Sequence, residues 1–158
     1  MYCIRVEVDC QAIINNFMKS FKTLISEIFD VENIESKELS PSEEKDIPGF
    51  SFSRTYKTNI NGDEVMTKID HSYVSNKSDV KFFVNGHMER YRPKRLKDAI
   101  EIYRTVLSHI KHHIENPPEE IKAIKYSYND DEEGQKKHKI YQKFGKKFDI
   151  PLEARVTD

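Results

Sequence analysis

A chain of 158 residues, 37% hydrophobic and 34% charged, is the size of one domain with a core of its own, and a single domain over 1–158 is expected. No apolar run is long enough to cross a bilayer, and the N-terminal MYCIRVEVDC carries charges where a secretory signal has none, so a cytoplasmic protein is expected. The net charge of −1 excludes a surface wholly committed to nucleic acid, yet acidic ESKELSPSEEKD (35–46) and basic RYRPKRLK (90–97) and QKKHKIYQKFGKK (135–147) predict faces of opposite sign.

Along the chain, YCIRVEV (2–8) alternates as a half-buried strand does, and Asp9 is placed to cap the helix that follows. Ile13, Ile14, Phe17, Met18, Phe21, Leu24, Ile25, Ile28 and Phe29 recur at helical spacing over 11–29, a stripe suited to packing on a sheet. Residues 31–47 have too little apolar area to fold alone and are expected to be a mobile acidic connection. Cys3 and Cys10 lack both metal-ligand and redox spacing and read as reduced structural thiols.

After Pro48-Gly49, alternation over 50–60 ends at Asn61-Gly62, a pair that tolerates positive φ and so predicts a tight hairpin to a partner strand over 64–73. Asn76 to Ser78 turn the chain into a third strand, VKFFV (80–84). Leu96, Ala99, Ile100, Tyr103, Val106, Leu107, Ile110 and Ile114 then predict a helix over 95–114, stopped by Pro117-Pro118. IKAIKYSY (121–128) is a strand. DDEEGQKKHKIYQKFGKKF is a helix with carboxylates first and lysines last, as its dipole favours, and the tail after Pro151 has the makings of an edge strand. The expected class is α/β (α+β), in the order β-α-β-β-β-α-β-α, with a mixed, mostly antiparallel sheet and helices packed on it.

That order resembles the GNAT superfamily of N-acetyltransferases over nearly the whole chain. Ile140, Tyr141, Phe144, Gly145 and Phe148 approximate the aromatic-glycine run of that family's last helix, with the phenylalanine displaced. The resemblance implies Tyr141 as general acid toward the coenzyme A thiolate; the residues themselves favour an amphipathic helix with Tyr141 and Phe144 in its buried stripe. It also implies a pyrophosphate cradle opening the crossover helix, backbone N–H groups near Phe83 and Val84 that polarise the acetyl carbonyl, and acetyl-CoA as cofactor. Here the cradle departs from the family: Arg92 is present, but Arg95 and Lys97 stand where small residues let phosphate approach, and Pro93 removes an N–H. VNG (84–86), DAIEIYRTVLSHIK (98–111), IKYSY (124–128) and KIYQKF (139–144) are also similar to small proteins of tailed bacteriophages.

His109, His112 and His113 are expected as solvated helix histidines; His109 and His113, one turn apart, lack the carboxylate or cysteine that would complete a metal site. Arg90, Arg92, Lys94, Arg95 and Lys97, with Tyr91 among them, form a candidate phosphate- or partner-binding run. The expectation is a non-catalytic GNAT-like protein that uses no cofactor and modulates a host protein, in the host cytoplasm if phage-encoded. Its alternatives are an acetyl-CoA-dependent N-acetyltransferase and a nucleic-acid adaptor working through 90–97.

Overall fold

The structure is a computed structural model that describes residue 28, residues 39–87 and residues 96–157, with the side chains of Leu96 and Lys97 excepted. Six strands form one mixed sheet in sequence order: β1 (Glu43–Ile47), β2 (Ser51–Ile60), β3 (Asp63–Ser72), β4 (Lys77–Val84), β5 (Ala123–Asn129) and β6 (Leu152–Thr157). Helix α1 (Leu96–Glu115) joins β4 to β5, and α2 (Glu132–Lys147) joins β5 to β6.

The meander follows from its turns. Asn61 at φ 51° and Gly62 at φ 90° take the two left-handed positions that a two-residue hairpin requires, and β2 pairs with β3 in register from Ser51↔Ser72 to Ile60↔Asp63. The next turn comes earlier than expected, at 73–76, because the Ser72 hydroxyl accepts the N–H groups of Val74 and Ser75 and Asn76 adopts φ 60°. β4 therefore starts at Lys77. β4 pairs in parallel with the strand after α1, but only through Lys77↔Ala123, Ser78↔Ile124 and Asp79↔Lys125, ahead of the span 80–84 predicted from the sequence.

One segment departs from expectation. The end of the acidic connection is β1, paired antiparallel with β2 from Glu43↔Thr55 to Ile47↔Ser51; hydrogen bonding to a preformed neighbour compensates for its lack of apolar residues. The tail adds β6, parallel to β5. The predicted strand 2–8 and most of the predicted helix 11–29 lie outside the described residues. Ile28, which is described, is helical and fully buried in the core.

Helices α1 and α2 lie on one face of the sheet. Val65, Ile69, Val80, Val84 and Ile124 pack there against Ile100, Val106, Leu107 and Ile110 of α1 and Ile140, Tyr141 and Phe144 of α2. The opposite face carries exposed Lys57, Lys68, Asp70, Lys81 and Lys125, the alternation of a sheet covered on one side. Among the described residues no helix is long and apolar enough to cross a membrane.

Candidate functional site

Two constellations of polar side chains are built onto the helix-bearing face. The first corrects the reading of His109 and His113 as solvated; His112 between them is partly exposed. His109 and His113 are 1% and 0% exposed, because they stand three and seven residues after Val106 and so share its buried stripe. Burial without partners would be costly, and the strands supply the partners. Thr58 and Thr67 hold the two nitrogens of His109, Nε2 at 2.9 Å and Nδ1 at 2.8 Å, while the Tyr56 ring stacks on the imidazole at 4.9 Å. The Tyr56 hydroxyl lies 2.7 Å from Nδ1 of His112.

His113 sits in a longer chain of hydrogen bonds. The Arg54 guanidinium can only donate, so its Nη1 donates to Nδ1 of His113 at 2.9 Å and leaves the imidazole proton on Nε2. That proton is donated to Ser78 Oγ at 2.9 Å, the Ser78 hydroxyl donates to Nδ1 of His71 at 2.8 Å, and Nε2 of His71 donates to Glu119 Oε1 at 2.9 Å. Glu119 accepts only, so the two ends of the chain are compatible with one direction and every member has a partner. Arg54 also donates to Glu44 Oε1 and to the Asn116 carbonyl, both at 2.8 Å, tying β1 and the end of α1 to the network. Burial, reinforced by the positive charge of Arg54, holds His113 down at about 3; burial holds His109 at about 4.

This arrangement has chemical consequences. Ser78, His71 and Glu119 line up as hydroxyl, imidazole and carboxylate, the order used for acyl transfer. Ser78 is wholly buried, however, and His113 occupies its oxygen from the other side, so no carbonyl can reach it. Both nitrogens of His109 and of His113 are engaged with neighbouring side chains. Among the described residues no group of three or more histidine, cysteine, aspartate or glutamate side chains is placed to hold a metal.

The second constellation surrounds Tyr141, the expected general acid. The β4–β5 ladder ends at Asp79↔Lys125, although β4 runs on to Val84 and β5 to Asn129. Aromatic side chains line the region where the two strands have parted. Phe82 meets Tyr103 edge-on at 5.9 Å, Tyr126 meets Tyr141 edge-on at 4.5 Å, and Tyr128 stacks on His138 at 4.1 Å. Lys137 places its Nζ 5.2 Å from the Phe82 ring and 5.9 Å from the Tyr141 ring, linking β4 to α2 through cation–π contacts.

Tyr141 is 2% exposed, and its hydroxyl finds no hydrogen-bond partner among the described residues. Burial, with Tyr103 and Tyr126 beside it, raises this phenol well above its ordinary range. Tyr141→Phe is therefore expected to leave stability unchanged or to raise it by about 1 kcal/mol, since it removes a buried, unpaired hydroxyl. A thermal melt checks this, and a clear loss of stability would reveal a partner for the hydroxyl. Gly145, the glycine of the same run, has a packing role: a Cβ there would stand 2.5 Å from Leu152 Cδ1 and 3.0 Å from the Ile150 carbonyl oxygen, where α2 turns into β6.

The remaining expected site residues fall elsewhere. Arg90, Arg92, Lys94 and Arg95 lie outside the described residues, and of Lys97 only the backbone, in the first turn of α1, is described. Of the two backbone donors expected near the acetyl carbonyl, that of Val84 donates instead to the His87 carbonyl at 3.0 Å. Spacing alone gave a hint of the histidine network, since Arg54, Tyr56 and Thr58 occupy inward positions of an alternating strand. No family model, curated protein or solved structure matches the chain.

Proposed function

We propose that this chain is a non-catalytic protein of GNAT-like architecture, of the kind tailed bacteriophages encode, that binds and modulates a host protein. The observation that carries this reading is an apolar tip at one end of the sheet. Phe50 in the β1–β2 turn is 68% exposed, Val74 in the β3–β4 turn 82% and Ile47 at the end of β1 45%. The Tyr73 N–H donates to the Phe50 carbonyl at 2.9 Å, which sets the two turns side by side. Exposed Glu43, Glu44 and Asp46 run along the adjoining edge, so the tip has the apolar centre and charged rim of a protein-binding surface. The reactive groups of the interior support the same reading, since the network imidazoles are engaged with neighbouring side chains and the Tyr141 hydroxyl is enclosed.

Phe50→Ser combined with Val74→Ser is expected to change stability by no more than about 0.5 kcal/mol, because both side chains are largely in water already. The same variant should lose a host protein that the wild type retains on an affinity column. Equal retention by both would remove the tip from this account.

A second reading, acetyl-CoA-dependent N-acetyltransferase, is favoured by one observation: the parting of β4 from β5 beside Tyr141. Titration calorimetry with acetyl-CoA separates the two. No saturable heat is expected, because Arg95 and Lys97 occupy the positions where small residues would admit phosphate. Saturable binding in the micromolar range would favour the enzyme.

A further inference from the structure

The two edges of the sheet are built differently. On β1, antiparallel pairing with a second copy about Lys45 would set Lys45 against Lys45 and Glu44 against Asp46. Like charges directly opposite destabilise a pair, and such a strand is guarded against edge-to-edge contact. Among the described residues β6 carries no such guard. Leu152, Glu153, Ala154, Arg155 and Val156 are symmetric in character about Ala154: apolar residues correspond to apolar ones, and acid corresponds to base. Glu153, Ala154, Arg155 and Val156 are all exposed, Val156 at 48%.

The main chain has the matching parity. The Ile124 N–H donates to the Pro151 carbonyl at 2.9 Å, so Pro151 and, by alternation, Glu153 and Arg155 direct their backbone groups toward β5. The N–H and C=O groups of Leu152, Ala154 and Val156 then face away from β5, toward an edge that is free among the described residues. These are the residues that a two-fold axis through Ala154 would bring opposite one another.

We propose that β6 is a dimerisation edge on which a second copy of this chain lays its own β6 antiparallel, about a two-fold axis at Ala154. Leu152 then exchanges backbone hydrogen bonds with Val156 of the second copy, and Ala154 with its own counterpart. On the helix-bearing face these residues extend the apolar surface across the junction. On the other face Glu153 meets Arg155 of the second copy, and the symmetry makes that pair twice. Lys77 holds the Glu153 carboxylate at 2.7 Å, fixing it on the face where the arginine arrives. The contact is isologous and closes on itself, so it yields a dimer and not a fibre.

Sedimentation velocity of the full chain at about 100 µM, enough to reveal an interface with a dissociation constant in that range, is expected to give a dimer. Arg155→Glu and Glu153→Arg should each be monomeric, with association weakened roughly tenfold or more as two cross-strand pairs change sign. Their equimolar mixture should restore a heterodimer, because each chain then supplies a single sign at both contacts. Ala154→Pro removes the central outward N–H without touching a bond to β5 and should also be monomeric, with circular dichroism showing that each variant is folded. A monomeric wild type at this concentration, a dimer indifferent to both Arg155→Glu and Ala154→Pro, or a mixture that stays monomeric would each overturn the proposal.

Discussion

Gly134→Ala is expected to lower the free energy of unfolding by roughly 3 kcal/mol or more, as overpacking against immovable atoms does. Helix propensity alone predicts the opposite sign, since alanine is favoured over glycine inside a helix by about 1 kcal/mol. The difference lies in where α2 begins. Asp131 caps the helix by accepting the Gly134 N–H at 2.7 Å, which draws the first turn back over the end of β5. A Cβ on residue 134 would overlap the Asn129 carbonyl oxygen and stand 2.6 Å from its carbonyl carbon and 2.8 Å from its nitrogen. All three are main-chain atoms, so no side chain can rotate away, and α2 with its Tyr141 and Phe144 would have to lift from the core. Urea denaturation of the variant decides between the two effects; a stabilised protein would mean that α2 does not start against Asn129.

Stability is expected to fall steeply as the pH drops from 6.5 toward 4. An unfolded histidine takes up its proton near 6.5, whereas His109 and His113 in the fold resist protonation until about 4 and about 3, burial being the main cause. Above 6.5 both states are neutral at these positions, and the stability of the network is fully present. Below it the unfolded chain gains protons that the folded chain refuses, so stability declines with falling pH. With both groups acting, the slope approaches about 2.7 kcal/mol per pH unit between pH 6 and 4. The His109 contribution levels off near pH 4, and that of His113 near pH 3. A marginally stable domain has little more than this to lose, so acid unfolding centred near pH 5 is expected. His109→Gln, which keeps a donor and an acceptor between Thr58 and Thr67, should roughly halve the slope. A wild-type protein equally stable at pH 7 and pH 4.5 would show that the histidines are not buried as neutral groups.

Most of the described architecture was legible in the sequence, because the signals that carry it are local. Asn61-Gly62 announces its hairpin through backbone sterics, the stripe from Leu96 to Ile114 through helical periodicity, and the ends of α1 and α2 through Pro117 and Pro151. β1 was not legible. Its residues Glu43 to Ile47 have no apolar alternation and become a strand only through hydrogen bonds to β2, a neighbour that local pattern cannot identify. The candidate site was legible as residues and not as surroundings. Tyr141 could be named from its run, but whether its hydroxyl meets solvent depends on Tyr103 and Tyr126, which lie 38 and 15 positions earlier in the chain.

The α1 histidines show why the boundary falls there. By itself the sequence determined the helix, the alternating strands and the turns between them, since each depends on residues a few positions apart. It also placed His109 and His113 one turn apart on α1. Only the tertiary structure decided that Thr58, Thr67, Arg54 and Ser78 meet them there. Those four partners stand between 35 and 59 positions from the histidines they hold. The physical reason is the cost of burying an imidazole: without partners it would stay in water, and the pairing of β2, β3 and β4 beneath α1 brings the partners to it.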